Sequence, residues 1–289
     1  MMKLSLFSTL APIAGSLCLA CSQGESAPME SVELTEIWRT GGFASPESIL
    51  PDPQSGLILV SNVNGEGGFR DGNGFISRLN PDGGIETLEW ATGLDAPKGM
   101  ALVGDRLYVT DITRIVCLDR ETGEMINSWP APGAGFLNDA IAGPDGRIYV
   151  SDSRTARIYV LEDEMVHVWA EDPALSAING LWLEETRMLA VTMDGVFASI
   201  SLDASRTIEV IGTGLGDGDA IAPDGQGAYL ASEWRGQIYH LMPDGRFTVL
   251  ADSREDGVYI NDFYRMGDIL IVPHWQPGEV SAWQIRFSH

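Results

Sequence analysis

A pattern that recurs six times, at intervals near forty residues, constrains this chain more than any other feature. Each copy has a polar residue opening a short apolar strand, a turn, and a stronger apolar strand ending in Ser or Thr and a polar residue. The strong strands read Leu57–Asn62, Leu107–Asp111 and Ile148–Asp152, with weaker copies at Leu189–Met193, Ala228–Ser232 and Ile269–Pro273. The openers are Glu47, Lys98, Asp139, Asn179, Asp219 and Asp262, spaced 51, 41, 40, 40 and 43 residues apart. A fixed period of this length with several short strands per unit predicts a β-propeller. The long first interval holds the Gly/Asn-rich insertion Asn64–Asn73, in which Asp71-Gly72-Asn73-Gly74 reads as a tight turn.

Third strands such as Gly74–Leu79 and Gln237–Leu241 lead into Pro-Asp-Gly turns. Fourth strands carry an aligned large residue at Trp90, Trp129, Trp169, Ile211 and Leu250. The sixth unit has no fourth strand of its own. The segment Glu33–Gly42 repeats the missing pattern, with Trp38 in register. The expectation is an all-β, six-bladed propeller over 33–289 whose last blade is closed by the N-terminal strand, which covers an open sheet edge. The aligned aromatic residues are expected between blades.

Residues 1–20 read as a targeting segment: Lys3, then the apolar run Leu4–Leu19, short for a membrane span. The run Cys18-Leu19-Ala20-Cys21 resembles a bacterial lipoprotein signal, with Cys21 as the lipidated residue; an ordinary secretory signal cleaved nearby is the alternative. Residues 21–32 read as a flexible tether. Lipidation of Cys21 leaves Cys117 as the sole unmodified cysteine, so no internal disulfide is expected despite an oxidising compartment. The implied location is the cell envelope, on the periplasmic face of the outer membrane, with the membrane contacted through the anchor alone. The charge agrees: 41 Asp and Glu against 18 Lys and Arg give −23. Such a surface does not suit the phosphate backbone of nucleic acid or anionic lipid. A monomer acting on a small molecule is expected.

In a propeller the first strand of each blade lines the central channel, so the six openers should form one ring. Beside them should sit the second-strand ends Asn62, Asp111, Asp152, Met193, Ser232 and Pro273. Crowded carboxylates raise one another's pKa unless a cation neutralises them. Oxygen ligands of this kind suit one hard divalent cation, Ca²⁺ above all, and no His/Cys cluster has zinc spacing. Asp111 and Asp152 have a plainer role as turn caps. His274, with Trp275, is a candidate substrate contact or proton shuttle over the mouth; a solvated loop histidine is the plainer reading. His167, His240 and His289 carry no signal, and no nucleophile elbow or P-loop is present.

Four short motifs carry a family resemblance: Glu47-Ser48, Asn138-Asp139-Ala140, Asn179-Gly180-Leu181 and Gly218-Asp219-Ala220. With the repeat, they resemble the family of senescence marker protein (regucalcin), gluconolactonase and luciferin-regenerating enzyme. That resemblance implies a six-bladed propeller with one divalent metal in its channel, acting as a hydrolase of lactones or related esters. It implies Glu47, Asn179 and Asp219 as metal ligands, Asp219 as the catalytic base, and Asn138 as a contact to substrate or metal-bound water. The chain departs from regucalcin-like members at Phe136, where they carry a substrate-binding Arg, and Lys98 stands among the openers. Phe136 and Lys98 therefore join Asn138 and His274 as candidate substrate-binding residues. The rival is a non-catalytic propeller that binds a protein or small molecule on its loop face, because fold does not fix function.

If Cys21 carries the anchor, Cys21→Ala should move the protein from the membrane fraction to the soluble periplasm. Unchanged fractionation would count against lipidation.

Overall fold

The computed structural model describes residues 31–288; the leader, Cys21 and the tether up to residue 30 lie outside the described residues. The chain forms six four-stranded antiparallel sheets. Inner strands are Pro46–Asp52, Pro97–Val103, Leu137–Ala142, Ile178–Leu183, Gly218–Pro223 and Tyr264–Met266. Each packs against the next and the last against the first, so the sheets are the blades of a closed six-bladed propeller.

The sixth blade is shared by the two ends of the chain. Ser31–Gly41 is its outer strand and pairs antiparallel with Glu279–Ser288. Ser31 and Val32, which the sequence pattern leaves in the tether, already pair with Ser288 and Phe287. The strand thus starts two residues before Glu33.

The core lies between blades. Leu59, Ile76 and Ala91 of the first pack on Met100, Leu107, Val109 and Val116 of the second. The aligned aromatics extend this packing outward by resting on a turn of the next blade. The Trp38 indole covers Gly83, at φ +89°, and donates its Nε1–H to Pro81 O at 3.2 Å; Trp90 covers Gly123, at φ +76°. A side chain at either glycine would strike the indole, and the left-handed backbone there favours glycine anyway.

The start of each inner strand carries the feature that matters for function. Pro46 pairs with Asn62 but Ile49 with Val60, so Glu47 and Ser48 together face Ser61. The same one-residue bulge recurs at Pro97/Met100, Leu137/Ala140, Ile178/Leu181 and Gly218/Ile221. Bulges of this kind re-aim side chains. Second-strand hydroxyls stabilise them. Ser61, Ser151 and Ser232 each accept the amide of the extra residue at 2.9 Å. Thr110 and Ser232 donate onward to the carbonyls of Asn138 and Asn261 in the next blade, at 2.5 and 3.1 Å.

The bulge corrects the opener register. Aligned on it, the ring residues are Glu47, Lys98, Asn138, Asn179 and Asp219, with Asn261 completing the rank: its amide donates to Pro273 O, and Tyr264 pairs with Ile271. Asp139 and Asp262 stand one residue further on, in the rank of Ser48. The apolar pattern marks where a strand lies, but not which of two polar residues is the extra one.

Two predictions follow from this architecture. Deleting 33–42 strips the sixth blade of its outer strand and exposes a sheet edge. Against a typical total stability of about 5–15 kcal/mol, that loss should produce an aggregating protein, and an unchanged melting temperature would rule out the closure. The second concerns Gly180, where an added Cβ would run into the Asp219 carbonyl of the adjacent inner strand. Gly180→Ala should cost about 1–3 kcal/mol, toward the upper end because the obstacle is backbone. Calorimetry should read this as a drop in Tm of about 2–4 °C per kcal/mol.

Candidate functional site

The bulges deliver Glu47, Lys98, Asn138, Asn179 and Asp219 to one end of the channel, and all five are buried. The Asn179 Nδ2 donates to Asp219 Oδ1 at 2.8 Å, joining the fourth and fifth blades. Among the described residues, the buried Glu47 Oε2 has no hydrogen-bond partner. The Asn138 amide donates to Ser153 Oγ at 3.2 Å. The Lys98 ammonium donates to Ala96 O and Gly67 O, at 3.0 and 3.1 Å. It also lies 4.3 Å from the centroid of the Phe136 ring, a cation–π contact. The Asn64–Asn73 insertion therefore reaches the mouth: its Gly67 is bonded to Lys98 and lies against Phe136.

Asp139 and Asp262 stand one residue further along. Both Asp139 oxygens accept backbone amides, from Ala140 at 2.6 Å and from Leu181 of the next blade at 2.7 Å. Asp262 Oδ2 accepts the Ser48 hydroxyl at 2.5 Å, and the Asp262 amide donates to Glu47 O, bonding the sixth blade to the first.

Four carboxyls in one desolvated space repel as anions. Burial, and then the charge of Asp219, pushes Glu47 well above the ordinary carboxyl range, with Lys98 pulling it back. Burial and the charge of Asp262 raise Asp139 and Asp219. Burial pushes Asp262 up to about 7. Burial also pulls Lys98 down to about 8, against the attraction of Glu47 and Asp111. A ring built this way favours an added positive charge.

Among the described residues, no three His, Cys, Asp or Glu side chains stand close enough to hold an ion by themselves. A cation here must draw on amide oxygens as well. The residues fit one on that condition. Glu47 offers a buried oxygen with no other partner, and an amide turn at Asn179 would replace the N–H facing Asp219 with a carbonyl oxygen. Carboxylate and amide oxygens are the donor set of a hard divalent ion.

Other candidates lie elsewhere. The second-strand ends cap loops: Asn62 accepts from Ala44 N at 3.1 Å, Asp111 from Ala96 N at 2.7 Å and Asp152 from Gly135 N at 2.7 Å. His274 is a correction. It is buried in the last blade, bonded through Nδ1 to Tyr259 O and through Nε2 to Ser281 Oγ, both at 2.8 Å. Burial pulls its imidazole down to about 4, so it is neutral and internal, not a group over the mouth. Asn261 is the ring member that sequence reasoning missed. The signal was present: the pair Asn-Asp occurs at 138–139 and again at 261–262.

The channel also contains a cavity of about 770 Å³, and it enters from the opposite end. Its wall runs from Ser48, Asp139 and Asp262, past Arg265 of the last inner strand, to turns that join inner and second strands, including Pro53 and Pro144. The ring and the cavity are thus two ends of one channel.

No family model and no curated protein matches the sequence. Solved structures do match. A gluconolactonase from Xanthomonas campestris is 14% identical at a TM-score of 0.69, over 88% of this chain and 89% of that one. A luciferin-regenerating enzyme is 14% identical at 0.62, over 89% and 95%. A virginiamycin B lyase from Staphylococcus aureus, solved with quinupristin, is 14% identical at 0.61, over 88% and 99%. At these identities the likeness is one of fold: the chain has the six-bladed propeller architecture of the gluconolactonase and luciferin-regenerating enzymes that its short motifs resemble.

Proposed function

We propose that the protein is a divalent-metal-dependent hydrolase of lactones or related esters, with Glu47, Asn179 and Asp219 as the metal ligands. One observation carries the reading: three separate blades deliver these groups to one desolvated space in which Glu47 Oε2 has no other partner. Ca²⁺ suits the oxygen donors, and when bound it would supply Lewis-acid polarisation of the ester carbonyl. Asp219 would take the proton of the attacking water on its carboxylate, the role that the family resemblance implies. Asn138 orients the reacting groups with its amide. Phe136 and Lys98 form the wall of the mouth, where an aromatic face and an ammonium take the place of an arginine fork. That wall favours an ester with an apolar body. The anchor at Cys21 would hold the propeller on the periplasmic face of the outer membrane.

The rival, a non-catalytic binding propeller, draws support from Lys98, which brings its own positive charge to the ring and bonds the insertion over it. The two are separated by metal binding and turnover. Protein stripped and then titrated with Ca²⁺, Mg²⁺, Mn²⁺ or Zn²⁺ should bind one ion, and Glu47→Ala should remove most of that binding. Asp219→Asn should weaken the ion less yet lower turnover of a lactone and ester panel by about 10²–10⁴-fold at saturating metal. Lys98→Met removes a neighbouring positive charge and should tighten the ion. A wild type that binds none of the four metals would leave the binding-module reading in its place.

A further inference from the structure

The cavity at the far end of the channel is outside the chemistry proposed for the ring. Its volume of about 770 Å³ is that of a small-molecule site, for which about 300–1,000 Å³ is usual. The walls are mostly apolar, with Leu50, Leu102, Trp182, Leu183 and Phe263 among them. Pro51, Pro144 and Pro223 lie in its wall, where each fixes its own φ, so that part of the wall is preformed. From Ser48 to Pro53 the first inner strand and its turn run five residue steps, about 16 Å at ~3.3 Å per residue. The cavity is therefore a deep funnel.

Its charge is one-sided. The ionisable residues along it are Asp139, Asp262, Glu184 and Glu185 against Arg265 alone. Glu184 is occupied at the rim, by Arg187 at 2.6 Å and the Tyr229 hydroxyl at 2.6 Å. At the inner end Asp139 has spent both oxygens on backbone amides. Asp262 differs: it uses Oδ2 for Ser48, and it remains partly exposed where it lines the funnel. A metal ion here would find too few free oxygens, since Ca²⁺ takes about 6–8. An organic cation needs less. One charge-assisted hydrogen bond to Asp262 and the apolar wall, which includes the half-buried Trp182, are sufficient.

We propose that this funnel is a second ligand site, separate from the ring, for a small organic ammonium: an apolar body along the wall with its ammonium on Asp262. The net charge of −23 concentrates such cations around the protein.

The test is calorimetry on the full mature chain with Ca²⁺ present, using 1-naphthylmethylammonium and its neutral counterpart 1-naphthylmethanol. The ammonium should bind one to one and at least about 10-fold tighter than the alcohol. Asp262→Asn keeps an acceptor for Ser48 and should remove that preference while leaving the alcohol unchanged. Ala142→Trp, which fills the funnel from its wall, should abolish both. Glu47→Gln, at the ring, should leave the alcohol unchanged and keep the ammonium the tighter of the two, so failure here is distinct from failure of the hydrolase reading. Equal affinity for the two probes would overturn the proposal. So would ammonium binding that survives Ala142→Trp in a variant with wild-type Tm. Displacement of the ammonium by Ca²⁺ in the Glu47→Gln variant would reassign the funnel to metal and overturn it as well.

Discussion

The pairing between the two ends of the chain is the interaction on which the rest depends. Ten residue pairs join Ser31–Gly41 to Glu279–Ser288. They hold the sixth blade, and the sixth blade holds the ring, because Asp262 of that blade bonds Ser48 and Glu47 of the first. A propeller whose last blade were made from one end of the chain alone would be closed only by side-chain packing. Here backbone hydrogen bonds close it, and they cannot be repartitioned by small shifts of a blade. The positions of six inner strands, and of every polar group at their starts, follow from that closure.

Inside the closed ring, the bulges and desolvation act together. Each bulge adds one residue to an inner strand, and hydroxyls of the second strands hold the extra amides. The result is two polar ranks instead of one. The first carries Glu47, Lys98, Asn138, Asn179, Asp219 and Asn261, and the second carries Ser48, Asp139 and Asp262. Burial raises the cost of every negative charge in both. Asp139 meets that cost with two backbone amides and Asp262 with a serine hydroxyl. Among the described residues Glu47 has no such compensation at Oε2, so the ring holds a buried carboxylate oxygen without a partner.

The channel has two unlike ends. One is narrowed by the insertion, through Gly67 on Lys98 and Phe136. The other widens into a mostly apolar funnel with Asp139 and Asp262 at its inner end. The same six strands supply both, the first by their polar starts and the second by their apolar ends and the turns beyond. Different chemistry at each end is a direct consequence of strand polarity: all six inner strands run the same way along the axis.

The sequence by itself determined the repeat, the six blades, the closing strand and the identity of Glu47, Asn179 and Asp219 as groups that share one end of a channel. These are local facts, legible because alternating apolar strands, Pro-Asp-Gly turns and an aligned large apolar residue at each outer strand need only near neighbours to be read. The tertiary structure alone decided the rest. It shifted the ring from Asp139 to Asn138 and from Asp262 to Asn261, since a bulge is fixed by pairing with the next strand and not by the strand's own pattern. It buried His274, whose partners Tyr259 and Ser281 lie on either side of it in the chain but meet it only in the folded blade. It also formed the funnel, whose walls come from inner-strand ends and turns scattered along the chain and acquire a common interior only when the ring is closed.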